Sequence, residues 1–183
     1  KWNIMKFFAI FLVFVCEVFA VSLTEIRDDF NSANYAKVCN QKVEDFLKTQ
    51  NNEEQISMFG IACIKMNDLN RLATPIDKLV KSEKSRENAA YFADILFKKK
   101  LLFHAMIDGV DISYIRLPKS DYILSFLFDK FVKKEYVEEL GTFIFEEPNS
   151  DTRYEISPTN GQIPKLVLKI FKNNDLKSQI EYR

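Results

Sequence analysis

The spacing of the apolar residues changes once along the chain, near Gly141, and this change limits the fold to one class. Before Gly141, apolar residues recur every three or four positions, as in amphipathic helices. After it, apolar and polar residues alternate, as in strands that expose one face. Helices followed by strands predict an α+β fold, with N-terminal antiparallel α-hairpins followed by a helix packed on a four-stranded antiparallel β-meander.

The first part of the chain divides into helices at polar residues. One helix is predicted over residues 35–48, a second begins at Glu53, and a third follows Asp68. Pro75 either kinks the third helix or lies in the first turn of a helix that starts at Thr74. Both readings place short connections between neighbouring helices, which is typical of α-hairpins.

A long apolar segment follows over residues 86–108. Ser85 is a suitable N-cap for it, and Gly109 is a suitable residue for its C-terminal end. The segment is either one helix or two helices folded at residues 98–100, because periodicity does not separate the two cases.

The second part of the chain predicts a helix over residues 121–134, capped by Ser120 or Asp121, that covers the dry face of a sheet. The predicted strands are residues 142–146, 152–157 and 165–172, and a last strand with Leu176, Ile180 and Tyr182 on one face. Asn160-Gly161 favours a tight hairpin turn, and Asn173-Asn174 favours a second one.

The N-terminus has the pattern of a signal peptide. Met5 is the expected start, Lys6 is a minimal basic region, and residues 7–15 are apolar. Val18 and Ala20 are the small residues that a signal peptidase requires, so we expect cleavage after Ala20. The apolar run is shorter than the roughly 20 residues of a membrane span. The alternative is an uncleaved N-terminal anchor.

Two cysteines, Cys39 and Cys63, remain after this cleavage. Thiols of exported proteins tend to oxidise, so we predict one disulfide between them. The alternative is two separately buried thiols. The predicted organisation is a signal peptide over residues 1–20, a helical-hairpin region over 21–118, and a helix with a β-meander over 119–183, which joins the helical region in one unit.

The spacing of large and small residues repeats in the helical part. The repeated positions are Ile56, Phe59, Gly60 and Cys63, then Ala89, Phe92, Ala93 and Leu96, with Ala105 on the following turns. Over residues 53–108 this pattern resembles tetratricopeptide-like helical repeats. It departs from that family in lacking the terminal proline and an alanine near Leu72. The resemblance implies a scaffold for protein partners.

Residues with catalytic potential are few. His104 is the only histidine, and its apolar neighbours predict a histidine in the core or in a groove rather than a catalytic or metal-binding one. Four glycines exclude a glycine-rich phosphate loop, and no cofactor is predicted. The 26 basic and 26 acidic residues balance, which argues against a nucleic-acid partner. We therefore predict that the protein is not an enzyme.

Two sets of residues are candidates for binding. Lys98, Lys99 and Lys100 form a possible basic patch for an acidic partner or phospholipid headgroups, unless they only compensate a helix dipole. A possible surface for an apolar ligand or a partner, or else a packed core, is formed by Phe126, Phe128, Phe131, Phe143 and Phe145.

These features together predict a non-enzymatic, exported and periplasmic protein-interaction or scaffolding module. Its expected partner is another envelope protein, and no integral membrane segment is expected after cleavage. The alternative function is a carrier or sensor of an apolar small ligand or lipid, held between the Phe-rich helix and the sheet.

Overall fold

A computed structural model describes residues 21–147 and 149–183, so the predicted signal peptide lies outside the described residues. The helices are α1 (Leu23–Asn31), α2 (Tyr35–Val38), α3 (Gln41–Thr49), α4 (Glu53–Lys65), α5 (Ala73–Lys78), α6 (Glu83–Asp108) and α7 (Ile123–Val132), and a 3₁₀ helix (Leu69–Leu72) precedes α5. The strands are β1 (Val137–Glu139), β2 (Thr142–Glu146), β3 (Thr152–Pro158), β4 (Leu166–Lys172) and β5 (Asp175–Tyr182). This order confirms the α+β class.

The N-terminal helices differ from the prediction at two points. The single helix predicted over residues 35–48 is wrong, because the chain turns extended at Asn40 and starts α3 there. The Asn40 side chain accepts a hydrogen bond from the Val43 N–H at 3.1 Å, which caps the new helix. Helix α1 was not predicted. It is capped in the same way by Ser22, which accepts from the Glu25 N–H at 3.1 Å.

The predicted disulfide between Cys39 and Cys63 is confirmed. It joins the end of α2 to α4, with the two Cα atoms 5.0 Å apart and a separation of 24 positions in the sequence. Both cysteines are buried. A crosslink that closes a loop of this length stabilises a fold by about 3 kcal/mol in the loop-entropy treatment.

Helix α6 is the longest element and contacts most of the helical part. It is one continuous helix of 26 residues, capped by Ser82 rather than the predicted Ser85, and it ends at Gly109 in the left-handed region as predicted. It packs closely on α4 at Gly60. A Cβ atom at Gly60 would lie 2.4 Å from the Phe92 ring, so only glycine fits this contact.

Proline 75 lies in the first turn of α5, which starts at Ala73. This is the second of the two arrangements expected for this segment, shifted by one residue. The preceding residues of the predicted third helix form the 3₁₀ helix instead. Leu69 and Leu72, the apolar residues of this 3₁₀ helix, are both buried.

The sheet is an antiparallel meander in the order β1 to β5, so the predicted four strands are corrected to five. Strand β1 was not predicted. The Asn173-Asn174 turn is confirmed, because both residues have positive φ and join the paired Lys172 and Asp175. The prediction of a tight turn at Asn160-Gly161 is wrong, because a longer loop over residues 159–165 connects β3 and β4.

Helix α7 covers the dry face of the sheet as predicted. The ring of Phe126 packs on Tyr154 at 5.3 Å, and the ring of Phe131 packs on Phe143 at 5.4 Å, measured between centroids. Its N-cap is Tyr122, not Ser120 or Asp121. The buried residues of the helices and of the sheet belong to one hydrophobic core.

Candidate functional site

The three consecutive lysines of α6 do not form an exposed basic patch. Lys98 and Lys99 are each only 1% exposed, and Lys100 alone is exposed. The predicted patch is therefore wrong as a surface. Consecutive helical residues point about 100° apart, so Lys98 and Lys99 enter two different environments.

Lys98 is fully neutralised by the protein. Its ammonium donates to the Asp94 carboxylate at 2.6 Å, to the Ser125 hydroxyl at 2.9 Å and to the Pro118 carbonyl at 2.5 Å. These three acceptors use all three N–H groups of a lysine. They also tie α6 to α7 and to the connector before it, so Lys98 is a structural residue.

Lys99 is equally buried but has different contacts. Its ammonium donates to the Asn70 side-chain oxygen and to the backbone oxygen of Arg183. No Asp or Glu side chain of the described residues forms an ion pair with it. Burial first, and the nearby Lys100 second, lower the pKa of Lys99 to about 8, and Asp68 opposes the shift.

Lys99 lies in the wall of a polar cleft of about 630 Å³, which we call the Lys99 cleft. The cleft is formed by α3, the turn that connects α4 to the 3₁₀ helix, α6 and the end of β5. Its charged and amide residues include Glu44, Asp68, Asn70, Arg71, Lys99 and Glu181. Most of its wall is polar, so it suits a hydrophilic ligand.

One of the two arginines of the Lys99 cleft, Arg71, is paired with acidic residues. Arg71 donates to Glu44 at 2.5 Å, to Asp68 at 2.8 Å and to the Gln41 side chain at 3.0 Å. Glu44 also accepts a hydrogen bond from the Thr74 hydroxyl at 2.9 Å. The positive charge of Arg71 is thus balanced within the protein.

The five phenylalanines predicted as one surface occupy different environments. Phe128 and Phe145 are in the core, and Phe126 is half-buried against Tyr154. Phe131 and Phe143 line an open cleft of about 510 Å³ between the end of α6, the end of α7 and the β1–β2 hairpin. We call it the aromatic cleft.

The floor of the aromatic cleft is an ordered aromatic cluster. The ring of Tyr136 stacks on Phe131 at 5.1 Å and meets the edge of Phe143 at 5.3 Å. The rim carries Asp111, Glu138 and Lys134. Burial raises the pKa of the Tyr136 hydroxyl, and the two carboxylates of Glu138 and Asp111 raise it further. The cleft is thus apolar at its base, and its rim carries two acidic residues and one lysine.

The β1–β2 hairpin beside this cleft exposes apolar side chains. Val137 is exposed on the edge strand, and Leu140 is fully exposed at the turn. Leu140 has φ +48° and precedes Gly141 at φ +76°, a geometry for which Asn-Gly is the favoured sequence. A leucine in the left-handed region is strained by about 1–2 kcal/mol. No contact in the fold accounts for leucine at this position.

His104 is exposed, so the expectation of a core position is wrong. Its side chain is 57% exposed and its Nδ1 lies 2.8 Å from the Asp108 carboxylate, one helical turn away.

Within residues 21–147 and 149–183, no group of three or more histidine, cysteine or acidic residues could hold a metal ion. No helix in this same part of the chain is both long enough and apolar enough to cross a membrane.

Sequence reasoning missed Lys99 because a run of three lysines was read as a surface. A signal was present, because Lys98 and Lys99 fall midway between the buried Ile95 and Leu102 on the apolar stripe of α6. The strained Leu140 had a weaker signal, which is a leucine directly before a glycine. Nothing in the sequence indicated that Arg71 pairs with Glu44.

No protein-family model, curated protein or solved structure matches this chain.

Proposed function

We propose that the chain is an exported, non-enzymatic protein-interaction module of an oxidising compartment, such as a bacterial periplasm, and that it binds its partner at the aromatic cleft. The observation that carries this proposal is the position of that cleft, open to solvent and beside the free edge of β1. A partner strand can add to such an edge while its apolar side chains enter an adjacent cleft.

The partner segment that fits is extended, with apolar residues flanked by basic ones. Apolar side chains would pack on Phe131, Tyr136 and Phe143, which line or border the cleft. Basic side chains would meet Asp111 and Glu138 on its rim, where Lys134 is the one opposing cation lining the cleft in the described chain. The free N–H and C=O groups of β1 would pair with the backbone of the segment.

Leu140 supports an interaction at this hairpin. Its exposure and its strained backbone lower the stability of the free protein without a compensating contact. Strained residues that the fold does not require are concentrated at functional sites. Leu140 and Val137 would gain apolar burial when the partner binds.

Export and scaffolding agree with two further observations. The Cys39–Cys63 disulfide is typical of proteins that mature in an oxidising compartment. The close contact between Gly60 and Phe92 is of the small-on-large kind that underlies the resemblance to tetratricopeptide-like repeats.

Export is tested by sequencing the N-terminus of the protein from its host, which is expected to begin at Val21. A mature protein that retains residues 1–20 contradicts it.

Photo-crosslinking in the native host tests the partner surface. A photoreactive amino acid at position 137 is expected to give one discrete protein adduct, whereas the same probe at the exposed Ile163 in the β3–β4 loop gives none. Leu140→Asn is expected to abolish this adduct. The same change raises the free energy of unfolding by about 1 kcal/mol, because asparagine tolerates the left-handed backbone.

The matched control is Ile163→Asn, which removes another exposed apolar residue from a different loop and is expected to leave the adduct at position 137 unchanged. Equal crosslinking from positions 137 and 163, or an adduct that persists in Leu140→Asn, contradicts the proposal.

The same cleft could instead hold an apolar small ligand or lipid, because its volume lies in the range of ligand pockets, about 300–1,000 Å³. Native mass spectrometry of the protein purified from its host separates the two cases. A noncovalent small-molecule adduct that is lost when Phe143 is replaced by serine favours the carrier function and counts against the protein partner.

A further inference from the structure

We propose that two copies of this chain pair through the free edge of β5, in an antiparallel register centred on Gln179, and form a symmetric dimer with one continuous ten-stranded sheet. The function proposed above places its partner at β1, which is the opposite edge of the same five-stranded sheet. The dimer therefore uses different residues, and it does not depend on that function.

The first argument is that this edge is long and uncovered. Among the described residues β5 pairs with β4 alone, so its other side carries free N–H and C=O groups. The strand has eight residues, whereas β1 has three. The side chains of residues 175–179 and of Glu181 are all exposed, so the described chain does not cover this edge. Monomeric proteins ordinarily cover or shorten such an edge.

The second argument is the order of charges along the edge. When Gln179 faces Gln179 of the second copy, Lys177 faces Glu181 of the second copy, and Glu181 faces its Lys177. Cross-strand pairs of opposite charge stabilise a sheet. A lysine on an edge strand normally opposes pairing. In this register the same lysine makes a favourable contact, and the twofold axis repeats that contact.

Other registers of the same two strands are opposed by the side chains. A shift by one residue turns the side chains of one strand to the wrong face. A shift by two residues keeps the faces, but it brings Asp175 opposite Glu181 in one direction and Lys177 opposite Arg183 in the other. Like charges directly opposite each other destabilise a strand pair. The charges therefore select the register centred on Gln179.

The ion pairs within one chain leave both charged residues open to this contact. Glu181 accepts from Lys165 of β4 at 2.7 Å and is still 47% exposed, and Lys177 lies 3.4 Å from Asp175 and is 54% exposed. A carboxylate can accept from more than one cation. The strand bulges at Lys177, which has no partner residue in β4, so backbone pairing in the dimer is expected over the regular residues beyond it.

The dimer leaves both β1 edges free. They lie at the two outer ends of the combined sheet, each beside its own aromatic cleft. If the aromatic cleft binds a partner as proposed above, the dimer is bivalent, and two linked sites bind a multivalent partner more tightly than one. This consequence alone rests on the proposed function.

Charge reversal tests the register. Sedimentation equilibrium of the protein is expected to show a monomer–dimer equilibrium. Lys177→Glu and Glu181→Lys are each expected to be monomeric, because each variant places like charges opposite each other at both ends of the paired segment. An equimolar mixture of these two variants is expected to form a heterodimer, since an acidic edge then faces a basic one. Lys100→Glu, on the exposed side of α6, is the control and is expected to dimerise like the original.

Cysteine crosslinking tests the position of the axis. Opposite Cα atoms of an antiparallel strand pair are about 4.5–5.5 Å apart, which is within the range of a disulfide. Gln179→Cys is expected to give a covalent dimer on oxidation, because position 179 faces itself across the axis. Ile163→Cys, at an exposed position of the β3–β4 loop, is the control and is expected to give no covalent dimer.

A protein that stays monomeric up to about 1 mM overturns the proposal. A dimer that persists in both charge-reversal variants overturns the assignment to β5, and so does the failure of the two folded variants to associate when mixed. Circular dichroism verifies that each variant is folded. Any of these failures leaves the proposed function standing, because photo-crosslinking from position 137 reports on β1.

Discussion

Lys98 and Lys99 are neighbours in the chain and equally buried, yet the protein treats their charges differently. Lys98 meets a carboxylate, a hydroxyl and a carbonyl, and every N–H is used. Lys99 meets an amide and the backbone oxygen of Arg183, and no Asp or Glu side chain of the described residues forms an ion pair with it. The first environment is closed by α7, and the second opens into the Lys99 cleft.

The difference shows that burial of a charge has two possible meanings. A buried cation with its counter-charge in the fold fixes the arrangement of the elements around it. A buried cation with no Asp or Glu side chain beside it retains more of its desolvation cost, and its pKa falls.

The largest change in the free energy of unfolding is expected from Lys98→Met. The variant strands the Asp94 carboxylate, which is only 15% exposed, and removes the donor to Ser125 and Pro118. Breaking a buried ion pair at one partner costs about 3–5 kcal/mol. Urea unfolding is expected to show a loss of this size, and the double variant Lys98→Met with Asp94→Leu is expected to recover part of it. A loss below about 1 kcal/mol contradicts the structural role of Lys98.

Lys99→Met is expected to change the free energy of unfolding at pH 7 by a smaller amount and in the opposite direction, as an increase. The folded-state pKa of Lys99 is lowered to about 8, whereas the unfolded state has the usual 10.5. Between these values the unfolded state binds more protons, so the stability of the original protein rises as the pH rises. The stability of Lys99→Met relative to the original is therefore greatest below pH 8 and declines as the pH rises to 10.5.

The measurement is urea unfolding of the two proteins at a series of pH values from 7 to 10.5. Lys100→Met, on the exposed side of α6, is the control and is expected to shift stability by less than about 0.5 kcal/mol at every pH. A stability difference between Lys99→Met and the original that does not change with pH would show that Lys99 is not destabilised by burial.

Local patterns in the sequence predicted much of the fold. The change of apolar period indicated the α+β class, the meander and its cover by α7, and the paired cysteines were found by their number and the expected compartment. The Asn173-Asn174 turn followed from residues that tolerate positive φ. Each of these depends on a few adjacent residues or on one repeating period.

Elements were predicted wrongly or missed where the apolar periodicity continues across a break between two helices, or where there is no periodicity. The apolar positions Tyr35, Cys39 and Val43 keep helical spacing across Asn40, which hid the start of α3. Strand β1 has only three residues, and they are all exposed, so no alternation could reveal it.

The candidate sites were least predictable, because they depend on which charges meet across the fold. The pairing of Arg71 with Glu44 joins residues 27 positions apart, and the contact of Lys99 with Arg183 joins residues 84 apart. Such pairs leave no local pattern. The stripe from Ile95 to Leu102 did contain the information that Lys98 and Lys99 are buried, but it could not say which of them finds a carboxylate.

The most direct test is the titration of the Lys99 side chain, followed by NMR of lysine labelled at Cε and Nζ and assigned with the Lys99→Met variant. The structure predicts an apparent pKa of about 8 for Lys99. A pKa of Lys99 at or above its usual value of 10.5 would contradict the claim that burial disfavours the charged form of this lysine.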